Sequence, residues 1–177
     1  MSAIKTKRLT LKPLKPADVT KAYVVALNDK AVVRLTGAKY FHWDAKKLRE
    51  YAISANTPGK SLLLGIFLKD NSRHIGNVRL FNFDKNVRRA ELGIMIFDKR
   101  EWGKGYAGEA LKAVVRYGFT ILGLHRIHAD YYSNNKGSAK IFKRAGFQTE
   151  GVYRDHFILD GKFMDSIRIA KLNPKER

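Results

Sequence analysis

The stretch "EWGKGYAGEA", residues 101–110, decides how this chain is read, because Gly103, Gly105 and Gly108 fall at the spacing G-x-G-x-x-G. A dinucleotide-binding fold needs the first of those glycines directly after a strand, in the turn that opens a helix. Here the preceding apolar run, 91–97, stops short of Gly103, with "DKREW" between them. Asp130 stands near the ribose-holding distance, but a single aspartate there is expected by chance. The phosphate-loop pattern G-x-x-x-x-G-K-[ST] is absent. What remains is a helix beginning at Gly105 whose first N–H groups lack partners and whose dipole is positive at that end. That makes an anion site suited to a pyrophosphate, to which Lys104 adds a full charge. The plainer alternative is a glycine-rich loop that simply enters a helix.

Working outward from the loop, residues 105–122 carry a helical pattern. Ala107, Ala110, Leu111, Val114, Val115, Gly118, Ile121 and Leu122 share one face; Glu109, Lys112 and Arg116 fall on the other. "HRIHADYYS" (125–133) reads as a strand, and "NKGSAKIFKRAGF" (135–147) contains a short helix capped by Gly146. A final hairpin turns at Asp160-Gly161. Upstream, apolar runs at 60–70, 73–83 and 88–98 are joined by short turns and predict an antiparallel meander. Before them come a strand at 8–14, a helix over 15–29 opened near Pro16, and a helix after Asp44, its expected N-cap. The aromatics of "AKYFHWD" (38–44) read as packing between those helices, with a substrate-facing loop as the other reading. The order β-α-α-β-β-β-α-β-α-β-β predicts one α/β domain over 1–177, a mixed, largely antiparallel central sheet with flanking helices.

The 177 residues hold 35 Lys/Arg against 16 Asp/Glu, a net charge of +19. The basic excess is spread over the chain and heaviest in the first 50 residues, with 12 basic against 4 acidic side chains. It attracts anionic ligands of every kind and cannot choose between them. There is no cysteine, which excludes disulfides, thiolate metal sites and an acetyl-cysteine intermediate, and fits a cytoplasmic protein. No stretch approaches the ~18 apolar residues of a membrane span, and the N-terminus lacks the apolar segment of a secretory signal. His125 and His128, three apart in a strand, point to opposite faces and make a poor chelating pair, so no metal site is expected.

The segments "WGKGYAGEA", "NKGSAKIFKRAGF" and "EGVYRDHFILDGKFMDSI" together resemble the GNAT N-acetyltransferase superfamily. The opening "KTKRLTLKPLKPADV" is similar to its Rim-type ribosomal-protein branch. The resemblance spans nearly the whole chain and implies strands that splay around acetyl-CoA. Its loop pattern, [QR]-x-x-G-x-[GA], falls on Trp102, Gly103, Lys104, Gly105, Tyr106 and Ala107, with Trp102 departing from the commonest residue. The resemblance implies that this loop binds the pyrophosphate and that strand 91–97 runs beside the pantetheine. Backbone N–H near Met95 and Ile96 would hold the thioester oxygen, and Asn135 would bind the cofactor's amide arm.

Acetyl transfer to an amine needs a proton acceptor and a proton donor. A lysine amine with pKa ~10.4 is neutral in about 1 of 2,500 molecules at pH 7, an α-amine with pKa ~8 in about 1 of 10. A weak base therefore suffices for an α-amine or an amino sugar. Glu91 is the candidate base; the other reading is a solvated carboxylate paired with Arg88 or Arg89. Ser138 is the candidate acid by resemblance to the Rim-type branch, or else simply a helix-start residue. Phe142 stands where many relatives carry a tyrosine; Tyr131 and Tyr132 are further proton donors, one of them expected in the core.

The implied partner is a small-molecule amine or a protein N-terminus, the latter with possible ribosome association; monomer and homodimer stay open. The run "HIGNVRLFNFDKNVRRAELGIMIFDKREWGKGYA" (74–107) is similar to small acetyltransferases of surface-polysaccharide enzymes, which tilts the acceptor toward a nucleotide-linked amino sugar. The basic surface disfavours a polyamine. A reading of another class is a basic RNA- or ribosome-binding module without catalysis; it lacks an RNA-reading motif and leaves the intact loop unexplained.

Overall fold

The structure, a computed structural model, describes residues 2–176. Eight strands form one sheet in the order β1-β2-β3-β4-β5-β6-β8-β7. They are β1 (Ile4–Lys5), β2 (Leu9–Pro13), β3 (Ser61–Leu68), β4 (His74–Asp84), β5 (Arg89–Ile96), β6 (Arg126–Tyr132), β7 (Gln148–Leu159) and β8 (Lys162–Leu172). Every neighbouring pair is antiparallel except β5 with β6. The predicted meander is β3-β4-β5. Strand β1, too short to read from its pattern, is an addition.

Five helices flank the sheet: α1 (Lys21–Leu27), α2 (Lys30–Val33), α3 (Ala45–Ser54), α4 (Tyr106–Thr120) and α5 (Lys136–Arg144). Helices α4 and α5 cover one face, where Leu111, Val114 and Phe142 join Leu64, Leu92 and Ile127 in the larger core cluster. Helices α1 and α3 cover the other, where Tyr23 and Leu48 pack with Leu63 and Phe97. No helix among the described residues is long and apolar enough to cross a membrane.

Four expectations are corrected here. Pro16 opens only a 3-10 turn, Pro16–Asp18; the helix proper starts after Thr20, whose hydroxyl accepts the Tyr23 N–H at 3.2 Å. Asp29, read as the last residue of that helix, instead caps a short additional helix, α2, through the Ala31 N–H. Helix α4 ends at Thr120, leaving Ile121 and Leu122, predicted on the buried face, 66% and 37% exposed as the chain turns away through Gly123. Tyr40 and Phe41, read as packing, are each 63% exposed; of that aromatic stretch Trp43 is the residue that packs inward. Asp44 caps α3 as predicted, accepting the Lys47 N–H at 2.8 Å. Gly146 at φ +82° ends α5 in the left-handed conformation that a side chain resists.

Candidate active site

Strands β5 and β6 pair over three positions only, Arg89–Glu91 against Arg126–His128. Beyond Glu91 and His128 they diverge, and the sheet opens into a wedge. The outer edge of β5 is unpaired there. Phe97 N–H bonds the Ile75 carbonyl at 3.0 Å, and the Met95 carbonyl lies against Gly76, so these odd-numbered positions turn to β4. By strand alternation, the backbone groups of Ile94 and Ile96 turn to the wedge. The donor pair predicted at Met95 and Ile96 is thus divided: Ile96 faces the opening, while Met95 gives its backbone to β4 and its side chain to the second core cluster.

The glycine loop sits at the open end of this wedge. Trp102 donates its indole N–H to the Ile96 carbonyl at 2.7 Å, tying the loop to the end of β5. Gly103 and Gly105 adopt φ of +77° and +83°, the region that only glycine enters cheaply. With Gly105 as the N-cap of α4, no backbone N–H from Gly103 through Gly108 finds an acceptor among the described residues; the first satisfied one is Glu109 to Gly105 at 3.1 Å. Six free donors at the positive end of a four-turn helix are a cradle for an anion. Tyr106 and Ala107 belong to its first turn. Lys104 adds less than expected, because its ammonium is 3.0 Å from the buried Glu101 carboxylate, which also binds Arg73. Those partners hold Glu101 below the usual carboxylate range, Lys104 most strongly.

Arg8 is the residue that sequence reading missed. Its guanidinium bonds Glu109 at 2.7 Å and the Lys104 carbonyl at 3.0 Å, and lies 4.3 Å over the Tyr106 ring. It clamps the loop onto α4 from β2's approach. Its signal, a basic residue just before the alternating "LTL", has no spacing that links it to residue 109.

At the apex of the wedge, Glu91 lies between Phe81 and His128 in register. Its Oε2 accepts from Asn82 Nδ2 at 3.1 Å and stands 3.8 Å from His128 Nε2. The alternative pairings fall away: Arg88 binds Glu176 and Arg89 binds Asp84. His128 is buried, its Nδ1 has no hydrogen-bond partner among the described residues, and its pKa falls to about 4, through burial first and then Arg168, Arg126 and Arg89. Around it on the same face lie Arg79, bonded to Ser61 Oγ at 2.7 Å and stacked over Tyr51 and Phe81, and Asp130, which accepts from Ser166 at 3.0 Å. Arg168 pairs in register with Asp130.

Across the wedge, Asn135 caps α5: its Oδ1 accepts the Ser138 N–H at 3.0 Å. Its Nδ2 has no partner among the described residues, and neither does the Ser138 hydroxyl. Ser138 is therefore a helix-start residue whose Oγ–H is also uncommitted. Tyr132 is the buried tyrosine, stacked on Phe157 at 4.1 Å; Tyr131 stacks on Phe142 on the α5 side. Lys39 bonds the Ile158 carbonyl and Arg34 pairs with Asp160 at 2.6 Å, so the exposed aromatic loop leans on the β7-β8 hairpin.

A mostly antiparallel sheet that splits at one parallel pair, with a free N–H cradle at the mouth of the opening, is the arrangement of a GNAT acetyltransferase. Residues 8–148 match the acetyltransferase (GNAT) domain, and the chain belongs to that family; it is an N-acetyltransferase. It is 32% identical over 170 residues to the uncharacterized N-acetyltransferase p20 of Bacillus licheniformis, covering 93% of each chain. It is 35% identical over 120 residues to the [ribosomal protein uS5]-alanine N-acetyltransferase of Escherichia coli, covering 66% of this chain and 60% of that one. The fold superposes on spermidine N-acetyltransferase from Vibrio cholerae in complex with CoA and spermine, with a TM-score of 0.82 at 23% identity over 94% and 96% of the two chains.

Proposed function

We propose that this N-acetyltransferase uses acetyl-CoA to acetylate the α-amine of a protein N-terminus, with ribosomal protein as the acceptor class. The observation that carries the reading is the wedge itself, with six free N–H groups at its mouth and Glu91 at its apex. Acetyl-CoA would supply the activated acyl group. The donors of Gly103–Gly108 fit its pyrophosphate, the free edge at Ile94 and Ile96 its amide arm and thioester oxygen, and Asn135 Nδ2 a further carbonyl. Glu91 takes the proton that the amine nitrogen sheds as its new C–N bond forms. Ser138 holds a proton at Oγ for the leaving group.

The charge of the acceptor side supports an α-amine over a polyamine. Arg79 and Arg168 share that face with Glu91 and Asp130, and a trication would meet both guanidiniums. An α-amine needs only a weak base, as Glu91 is. The ribosomal acceptor draws support from the uS5-alanine enzyme. A nucleotide-linked amino sugar is the second reading, because Arg79 and Arg168 would also suit its diphosphate.

The test follows CoA thiol release with three acceptors side by side: an N-terminal ribosomal peptide, spermidine and a nucleotide 4-amino-sugar. Release with the peptide, exceeding the others at least tenfold in kcat/KM, is the expected result. Preference for spermidine or the sugar overturns the proposed acceptor while leaving the acetyltransferase.

A further inference from the structure

On the sheet face that carries α4 and α5, a groove of about 880 Å³ runs between the C-terminal half of α4, the end of α5 and the end of β8. Lys112, Arg116, Arg144 and Lys175 line it, with the half-buried Phe119 ring on its floor. None of the four cations has a carboxylate within 4 Å among the described residues. The one acid on the groove, Glu176, is already held by Arg88 and His125. A fifth cation, Lys171, is turned aside to the Ala145 carbonyl. Free cations occur elsewhere on this basic chain; what marks these four is that they line one concave surface.

Lys112 and Arg116 are one helical turn apart, so they repel each other unless an anion lies between them. They sit ~9 and ~15 Å along α4 from its N-terminal cradle, at 1.5 Å per residue, and so belong to a different surface. A concave track of uncompensated cations over an aromatic floor is the arrangement that takes a single nucleic-acid strand, phosphates on the cations and a base on the ring. A flat lipid surface would touch only the rims.

We propose that this groove binds single-stranded RNA. The choice of RNA over DNA rests on the ribosomal acceptor proposed above; the nucleic-acid site itself does not.

Fluorescence anisotropy with a labelled 12-nucleotide RNA tests it, beside the same sequence in DNA and anionic phosphatidylserine vesicles. Four neutralised phosphates give a slope of log K against log salt near −3, an affinity loss of about fifty-fold between 50 and 200 mM salt. The triple variant Lys112→Glu/Arg116→Glu/Arg144→Glu is expected to flatten that slope by about two. A control with the same charge change on the opposite face and its loops, Lys46→Glu/Arg49→Glu/Lys60→Glu, is expected to keep it. Circular dichroism and thermal melting check that both variants fold. Equal loss in both variants, or no loss in the groove variant, overturns the site. Equal affinity for DNA overturns the RNA assignment, and binding to vesicles without RNA overturns the nucleic-acid assignment. Loss of the acetyltransferase reading would leave the anisotropy result standing, so the two fail separately.

Discussion

Glu91 and His128 face each other at the last paired position of β5 and β6, carboxylate oxygen to imidazole nitrogen 3.8 Å apart. That position is where the sheet splits, so the carboxylate sits at the closed end of the wedge, where Asn82 Nδ2 donates to it. Replacing Glu91 with Gln keeps the shape and removes the proton acceptor. Steady-state kinetics should give a kcat lowered roughly 10²-fold or more at pH 7, with KM for acetyl-CoA little changed. An unchanged kcat would reduce Glu91 to a bystander and leave water as the base.

The buried imidazole makes a pH signature in stability. In the unfolded chain His128 titrates near ~6.5; in the folded protein it titrates at about 4. Between those values the unfolded state binds more protons, so stability rises with pH across the window and falls as the solution is acidified from 6.5 toward 4. The loss is at most about 3 kcal/mol. Urea midpoints from pH 7.5 to 4.5 should fall for the wild type and fall less for His128→Asn. Parallel curves would place the titration elsewhere.

Gly105 carries φ +83° at the N-cap of α4, inside the cradle of free N–H groups. A Cβ there would meet Arg8 only at an ordinary 3.6 Å, so the cost of Gly105→Ala is backbone strain, about 1–2 kcal/mol. Because that strain tilts the donors, KM for acetyl-CoA should rise several-fold more than the stability loss alone would suggest. Thermal melting and thiol-release kinetics on the same sample separate the two effects.

The apolar runs within 60–98, bounded by short turns, placed the meander, and the one-sided stripe from 105 placed the start and body of α4, because each can be read locally. The cradle was legible too, since two glycines before a helix can be read without knowing what lies across from them. The parts that escaped depend on distant partners. Arg8 reaches Glu109 across 101 residues, and the Glu91–His128 approach exists only because a crossover sets β6 beside β5. The buried network of Tyr23, Asn77 and His74, bonded at 2.8 and 2.9 Å, likewise joins α1 to β4 with no periodic trace. Thr20 starts a helix inside a segment that periodicity ran straight through, and Asp29 opens a four-residue helix too short to carry a pattern.

Asn135 and Ser138 share one hydrogen bond but carry separable roles. The Asn135 side chain caps α5 through the Ser138 backbone N–H, so Asn135→Ala should cost about 1 kcal/mol in unfolding free energy. Ser138→Ala keeps that N–H and removes only the hydroxyl, which has no partner among the described residues. Its stability should therefore stay within ~0.5 kcal/mol of wild type. If the hydroxyl supplies the proton for the departing thiol, kcat should drop by roughly 10²-fold without a change in KM for acetyl-CoA. The pair is measured by denaturant unfolding and by thiol release together. A Ser138→Ala enzyme with full kcat would assign the residue to the helix start alone and hand the proton to water.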